Sequence, residues 1–240
     1  MVLTFEENLQ GVFSLIFAVI TLIVAIKIAL KYIQYKRIDL LLVGFAFIGL
    51  AAPWIAVAVK FVMIAFINST LSDEMFFIIN LGIVPFTALC WIIAMANLMN
   101  VKEKLKLIIS ISWLIGGIIF EAIFLYMVFT DTTLIGTFTG TLQIEFTLFM
   151  SIYILIILAT FEVPGLMFVR ESLKANNPEV RLKGKFLLIG FLFVIIGTVI
   201  EAAVPIIIIN VIGRSILILS SLIFYLGFIL PDWTKNIFLK

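Results

Sequence analysis

Seven long apolar runs, each ended by a short polar stretch, confine this chain to one kind of environment, because about 20 such residues in a helix cross the hydrocarbon core of a bilayer. The runs extend from Val12 to Ile33, Ile38 to Ile67, Met75 to Met99, Leu105 to Phe129, Leu142 to Val169, Phe186 to Asn210 and Ser215 to Leu230. Helix plus short connection accounts for nearly all 240 residues. The expected fold is an all-α integral membrane protein: a seven-transmembrane helix bundle that forms a single domain over residues 1–240.

Composition enters as a test of that reading. Hydrophobic residues make up 64% of the chain and charged ones 12%, more apolar surface than a water-soluble core of this size can use. With no His and one Cys, Cys90, the chain cannot build His/Cys metal sites, Cys/His or Ser/His/Asp catalysis, c-type haem attachment or an intrachain disulfide. No glycine-rich phosphate loop or nucleic-acid-binding pattern occurs. No cofactor and no metal are expected.

Orientation follows from the placement of charge. Basic residues gather on alternate connections: Lys27, Lys31, Lys36 and Arg37; Lys102, Lys104 and Lys106; Arg170, Lys174, Arg181, Lys183 and Lys185; and Lys235 with Lys240 in the tail. These are 14 of the 16 Lys and Arg residues, so the positive-inside rule places the N-terminus outside and the C-terminus in the cytoplasm. Glu6 and Glu7, with no basic residue in the first ten positions, are the wrong flank for a cleaved signal peptide, so the first span is expected to remain as an anchor. Asn68-Ser69-Thr70, an N-glycosylation acceptor pattern, falls on the expected outer side. The longest inner connection, Glu171 to Lys185, turns at Asn176-Asn177-Pro178. Its basic residues, with Arg170, either are simply solvated or form a docking surface for a cytoplasmic or membrane partner. After Pro231 the segment Trp233 to Phe238 is expected to lie at the interface.

Leu41 to Ile48 resembles Leu187 to Val194, each just after a basic inner loop. Spans one to three and five to seven would then be parallel repeats joined by the fourth, a 3+1+3 plan. Pro53, Pro85, Pro164 and Pro205 fall inside spans, where a proline removes a backbone hydrogen bond and bends the helix. Such kinks either open a cavity or merely pack. Gly190, Gly197 and the pair Gly116-Gly117 allow close helix approach.

Ionisable residues within the spans cost about 2.5–3.5 kcal/mol each even on the mild insertion scale, so something must offset them. Glu121 and Glu201 sit at matching depth, each about 23 Å from the inner interface. With Lys60, Glu145 and Arg214 they can be drawn as one outward-facing ligand-binding cluster. The alternative is that Glu121 and Glu201 are held in structural pairs with Lys60 or Arg214, or reach outward to water. Glu162, beside Pro164, is expected to pair with Lys27 or Arg170.

The third span, Leu81-Gly82-Ile83-Val84-Pro85-Phe86-Thr87-Ala88-Leu89-Cys90-Trp91, resembles the seven-helix N-terminal sensor region found on many prokaryotic histidine kinases. Asn177 to Leu188 is similar to loop-to-helix entries in uncharacterised archaeal seven-transmembrane proteins. A kinase domain after Asp232 is missing, so the resemblance implies a stand-alone sensor whose output passes through a partner. The seventh span has no Lys to carry retinal, and paired intramembrane Asp residues are absent, which argues against a rhodopsin and against an enzyme. Three functions remain as expectations: a receptor-like sensor in the plasma membrane with a small polar ligand, a small transporter, and an accessory subunit packed against other membrane chains.

Overall fold

The computed structural model describes residues 3–203 and 207–239. Helix dominates: α1 (Phe5–Tyr35), α2 (Ile38–Val62), α3 (Asp73–Leu81), α4 (Val84–Leu98), α5 (Glu103–Thr130), α6 (Leu148–Lys174), α7 (Pro178–Ala203), α8 (Ile207–Ile229) and α9 (Asp232–Phe238). Among the described residues seven helical segments are long and apolar enough to cross a membrane. A π-helical turn, Met63–Ile67, prolongs α2, and α3 with α4 forms the third span.

Two of the helices begin on side-chain caps that satisfy free N–H groups. At α1, Thr4 and Glu7 form a reciprocal capping box, and at α3 the Ser72 hydroxyl accepts the N–H of Met75. Lys36, with φ 54°, ends α1 in the left-handed conformation and reverses the chain into α2 within two residues.

The spans pack as a ring. α1 lies between α2 and α8; α2 packs on α3 and α4, α4 on α6, α6 on α7, and α7 on α8, which closes the circuit. α5, the fourth span, stands outside and rests on α4, with most of its Ile and Leu side chains exposed. The inward faces repeat every three to four residues, as packing of long helices requires: Gln10, Ser14, Phe17, Thr21, Val24 and Ile28 on α1, and Asn210, Arg214, Leu217, Ser221 and Phe224 on α8.

Glycine sets the spacing of α7 and α8. A Cβ added to Gly197 or to Gly213 would lie 3.0 Å from the other's carbonyl oxygen, so the two backbones touch there. That contact lies one turn from Glu201 on α7 and beside Arg214 on α8.

Several boundaries differ from the expected ones. The fifth span begins at Leu148, not Leu142, because residues 136–146 form an antiparallel hairpin, β1 (Gly136–Phe138) with β2 (Ile144–Phe146). Ile135 and Leu142 are fully buried under it with Phe76, Phe77 and Phe124. The hairpin is fastened to the first helix by Glu7, whose Oε1 accepts the Thr141 N–H at 3.0 Å. The sixth span starts at Pro178 and the seventh at Ile207, so Asn210 and Arg214 lie inside α8 and not at a boundary.

Of the four prolines, Pro53 and Pro164 lie within α2 and α6. Pro85 does not bend a continuous helix. The third span breaks at Gly82-Ile83, and Pro85 sits in the first turn of α4, where its missing N–H costs nothing. Pro205 lies outside the described residues.

Replacing Gly213 by Val should lower stability by about 1–3 kcal/mol through overpacking. Gly116, with nothing within 4 Å of an added Cβ, should accept Ala with a gain of about 0.5–1 kcal/mol from helix propensity. Unfolding in detergent, followed by circular dichroism, measures both.

Candidate functional site

Among the described residues one buried ion pair joins two spans inside the bundle. Arg214 Nε donates to Glu201 Oε1 at 3.2 Å, and the Arg214 side chain is 6% exposed. Its Nη1 donates to the Gln10 carbonyl at 2.6 Å and to the Ser14 hydroxyl, which in turn donates to that same carbonyl. Trp54 Nε1 donates to Glu201 Oε2 at 3.1 Å. The cluster therefore ties α1, α2, α7 and α8 together.

Two acceptors in this region have no donor: Gln10 Oε1 and Asn210 Oδ1 are both buried and unpaired, and Asn210 lies one turn before Arg214 on the same face of α8. A buried amide oxygen without a donor costs about 1–3 kcal/mol. Below the pair, a cavity of about 10 Å³ is walled almost entirely by apolar surface, from Phe17, Phe47, Trp54, Leu217 and Phe224 among others, although Thr21, Ser220 and Ser221 also line it. Thr21 and Ser221 hydrogen-bond across α1 and α8 at 2.8 Å, and Ser220 donates to the Gly190 carbonyl. A polar seam thus runs from the ion pair toward mid-bundle through the α1, α7 and α8 faces.

The five residues expected to form one cluster are divided among four places. Glu201 and Arg214 pair, as the structural alternative required. Lys60 is buried and pairs with neither acid; its ammonium lies 3.4 Å from the Phe138 ring centroid and 5.3 Å from that of Phe76. The hairpin's aromatic ring faces the ammonium by cation–π attraction, and the Asp73 carboxylate is near enough to act on it. Glu145 is exposed on β2, opposite Thr137, and does not begin a span. Glu121 reaches over the break in the third span, 3.7 Å from a Cβ placed on Gly82, with Oε2 buried and unpaired. It lies beside Tyr153, whose hydroxyl is also unpaired and whose ring stacks on Phe120 at 3.4 Å.

The expected pairing of Glu162 does not form. Arg170 is exposed, and Lys27 lies over the Tyr225 ring at 5.2 Å. Glu162 is buried with Oε2 unpaired.

The basic residues of the fifth connection lie mostly on helices, since only residues 175–177 interrupt α6 and α7. Arg170, Lys174, Arg181 and Lys185 are exposed, while Lys183 turns inward and donates to the Phe228 carbonyl at 3.4 Å. α9 is held against this end by Lys235, which meets Glu179 at 3.2 Å; that bond keeps the ammonium above its usual range. At the same end, sequence reasoning missed a second network: Asp39, buried at the start of α2, accepts from Arg37 and from Asn97, and Asn97 accepts from Lys106. An acid in the first turn of a helix, as Asp39 is, was the available signal.

No family model, curated protein or solved structure matches the chain.

Removing one member of the Glu201–Arg214 pair strands the other. Arg214→Met and Glu201→Gln should each cost about 3–5 kcal/mol, and the double variant should recover part of that loss. A double-mutant cycle on detergent unfolding reads the coupling.

Proposed function

We propose that this chain is a receptor-like membrane sensor, not an enzyme, whose polar centre is the Glu201–Arg214 cluster. The observation that carries the reading is the conjunction of that pair with two buried acceptors lacking donors, Gln10 Oε1 and Asn210 Oδ1. A small polar ligand rich in hydrogen-bond donors would satisfy these oxygens in a second arrangement with the helices parted, since the cavity beside the pair has room for a single water molecule. By competing for Glu201 it would also release Trp54, and with it the tie between α2 and α7. Such a ligand shifts a two-state equilibrium only by its difference in affinity for the two arrangements. No cofactor enters the scheme.

The remaining expectations complete the proposal. The basic residues at the end opposite the cluster support an orientation with the N-terminus outside and the C-terminus in the cytoplasm, and the plasma membrane is proposed as the location. A cytoplasmic or membrane partner would then read the state at Arg170, Lys174, Arg181, Lys183 and Lys185. The ring of spans one to three and five to seven, with the fourth outside, is the arrangement that the proposed 3+1+3 repeat would give.

The transporter reading has one observation in its favour: the third span is broken at Gly82 with an unpaired acid, Glu121, beside the break, and discontinuous helices form the sites of many carriers. The accessory-subunit reading draws only on the exposed α5 face, which lipid covers equally well.

A thermal-shift screen of the purified protein against amino acids, amines and polyols tests the sensor. The expected result is a ligand that raises the melting temperature of the wild type but not of a Gln10→Met/Asn210→Leu variant. Uptake of the same ligand into liposomes would instead favour the carrier, and the absence of any responding ligand would count against both.

A further inference from the structure

Glu162 lies outside the sensor's polar centre and shares none of its solutions for burying charge. It sits near the middle of α6, about 21 Å from Leu148 and about 18 Å from Lys174 along the axis. The residue is 7% exposed, and Oε2 has no donor. On one side α4 closes the site: Trp91 Nε1 donates to the Phe161 carbonyl at 2.9 Å, and the two rings stack at 5.6 Å. On the other side α7 closes it, with the Phe191 ring against Gly165.

The charges facing this carboxyl can be enumerated from those contacts. α4 carries no Lys, Arg, Asp or Glu, and its titratable side chain is Cys90. Phe191 against Gly165 and Gly184 against Ser172 fix the register of α7 on α6. Glu162 is therefore level with the region of Val194, about 13 Å from Lys185 and about 10 Å from Glu201 along the axis. On α6 itself, Arg170 is two turns away and exposed, and Tyr153 lies toward the other end beside Glu121 of α5. Glu145 of β2 is exposed beyond the first turn. Among the described residues Glu162 has no ion-pair partner.

We propose that Glu162 is a proton-binding site at the centre of the bundle, where a single proton joins and leaves the carboxyl oxygen. A lone carboxylate at this depth meets the full cost of intramembrane charge, and a bound proton cancels that charge without a partner. A metal ion does not fit: no group of three acidic, Cys or His side chains occurs among the described residues. Pro164 adds a second polar element, because it removes the usual helical donor to the Thr160 carbonyl, within a turn of the carboxyl.

A hydrophobic carbodiimide tests this in the full chain reconstituted in lipid nanodiscs. Dicyclohexylcarbodiimide adds a protonated carboxyl O–H across its C=N bond, and the O-acylisourea rearranges to a stable N-acylurea with no atom lost. Peptide mapping by mass spectrometry should find the adduct on Glu162. Its rate should fall at least about tenfold between about pH 6 and about pH 9, as proton occupancy falls. Glu162→Asp should label and Glu162→Gln should not, and a water-soluble carbodiimide should leave the site unmodified. An unlabelled Glu162 in the wild type, an adduct confined to Glu121, or a rate independent of pH would overturn the proposal. The wild-type peptide map decides alone if the Gln variant fails to fold.

Discussion

A guanidinium cannot shed its charge by losing a proton, so Arg214 inside an apolar bundle imposes an arrangement on everything near it. Glu201 supplies the counter-charge, but a carboxylate leaves most of the guanidinium's donors unused. The Gln10 carbonyl and the Ser14 hydroxyl take those from α1, and Trp54 from α2 spends its single N–H on the acid. Each partner sits on the inward repeat of its helix, so the same spacing that buries Phe17 and Leu217 also aims the polar groups. The glycine contact between Gly197 and Gly213 then brings α7 and α8 close enough for a 3.2 Å bond. Remove the charge and the four helices keep their shared apolar core but lose the polar tie between them.

The molecule handles its other intramembrane charges differently, and the differences sort them by role. Lys60 is sheltered by the faces of Phe138 and Phe76, a solution that needs the hairpin to stay closed over the bundle. Asp39 is bonded from α1–α2 and α4 at the opposite end. Those two are spoken for by fixed neighbours and read as architecture. Glu121 and Glu162 each keep an oxygen without a donor, and Glu162 lies at mid-depth with no cation on α4 and with Lys185 of α7 about 13 Å away along the axis. Buried acids left in that condition are costly, which is why they, and not the satisfied pairs, carry the case for exchange with a proton or a ligand.

The seven spans were legible because apolar length is a one-dimensional property. Rotation about a helix axis is not, and that is where the reading of the site failed: Glu121 and Glu201 share a depth, yet one leans over the break at Gly82 and the other faces Arg214. The spacing of Gly190, Val194, Gly197 and Glu201 held the signal that Glu201 points inward, since small residues at intervals of three and four mark a packed face. The hairpin was misread as the start of a span because Leu142, Ile144 and Phe146 raise local hydropathy. Their alternation with Gln143 and Glu145, after Gly136 and Gly140, is the period of a strand. Pro85 was placed correctly inside the third span, but the break belongs to Gly82-Ile83 before it. Asp39 and Asn97 were passed over because each lies at a helix end, where polar residues need no explanation.

The central claim is that Trp54 and Arg214 both hold Glu201, and the indole N–H gives direct access to it. In the two-dimensional NMR spectrum of nitrogen-labelled protein in micelles, the Trp54 indole signal, assigned with Trp54→Phe, should exchange slowly with solvent. It should also move when Glu201 is replaced by Gln, while the signals of Trp91 and Trp113, bonded to the Phe161 and Pro85 carbonyls, stay in place. A Trp54 signal that exchanges rapidly with water and ignores the replacement would contradict the account.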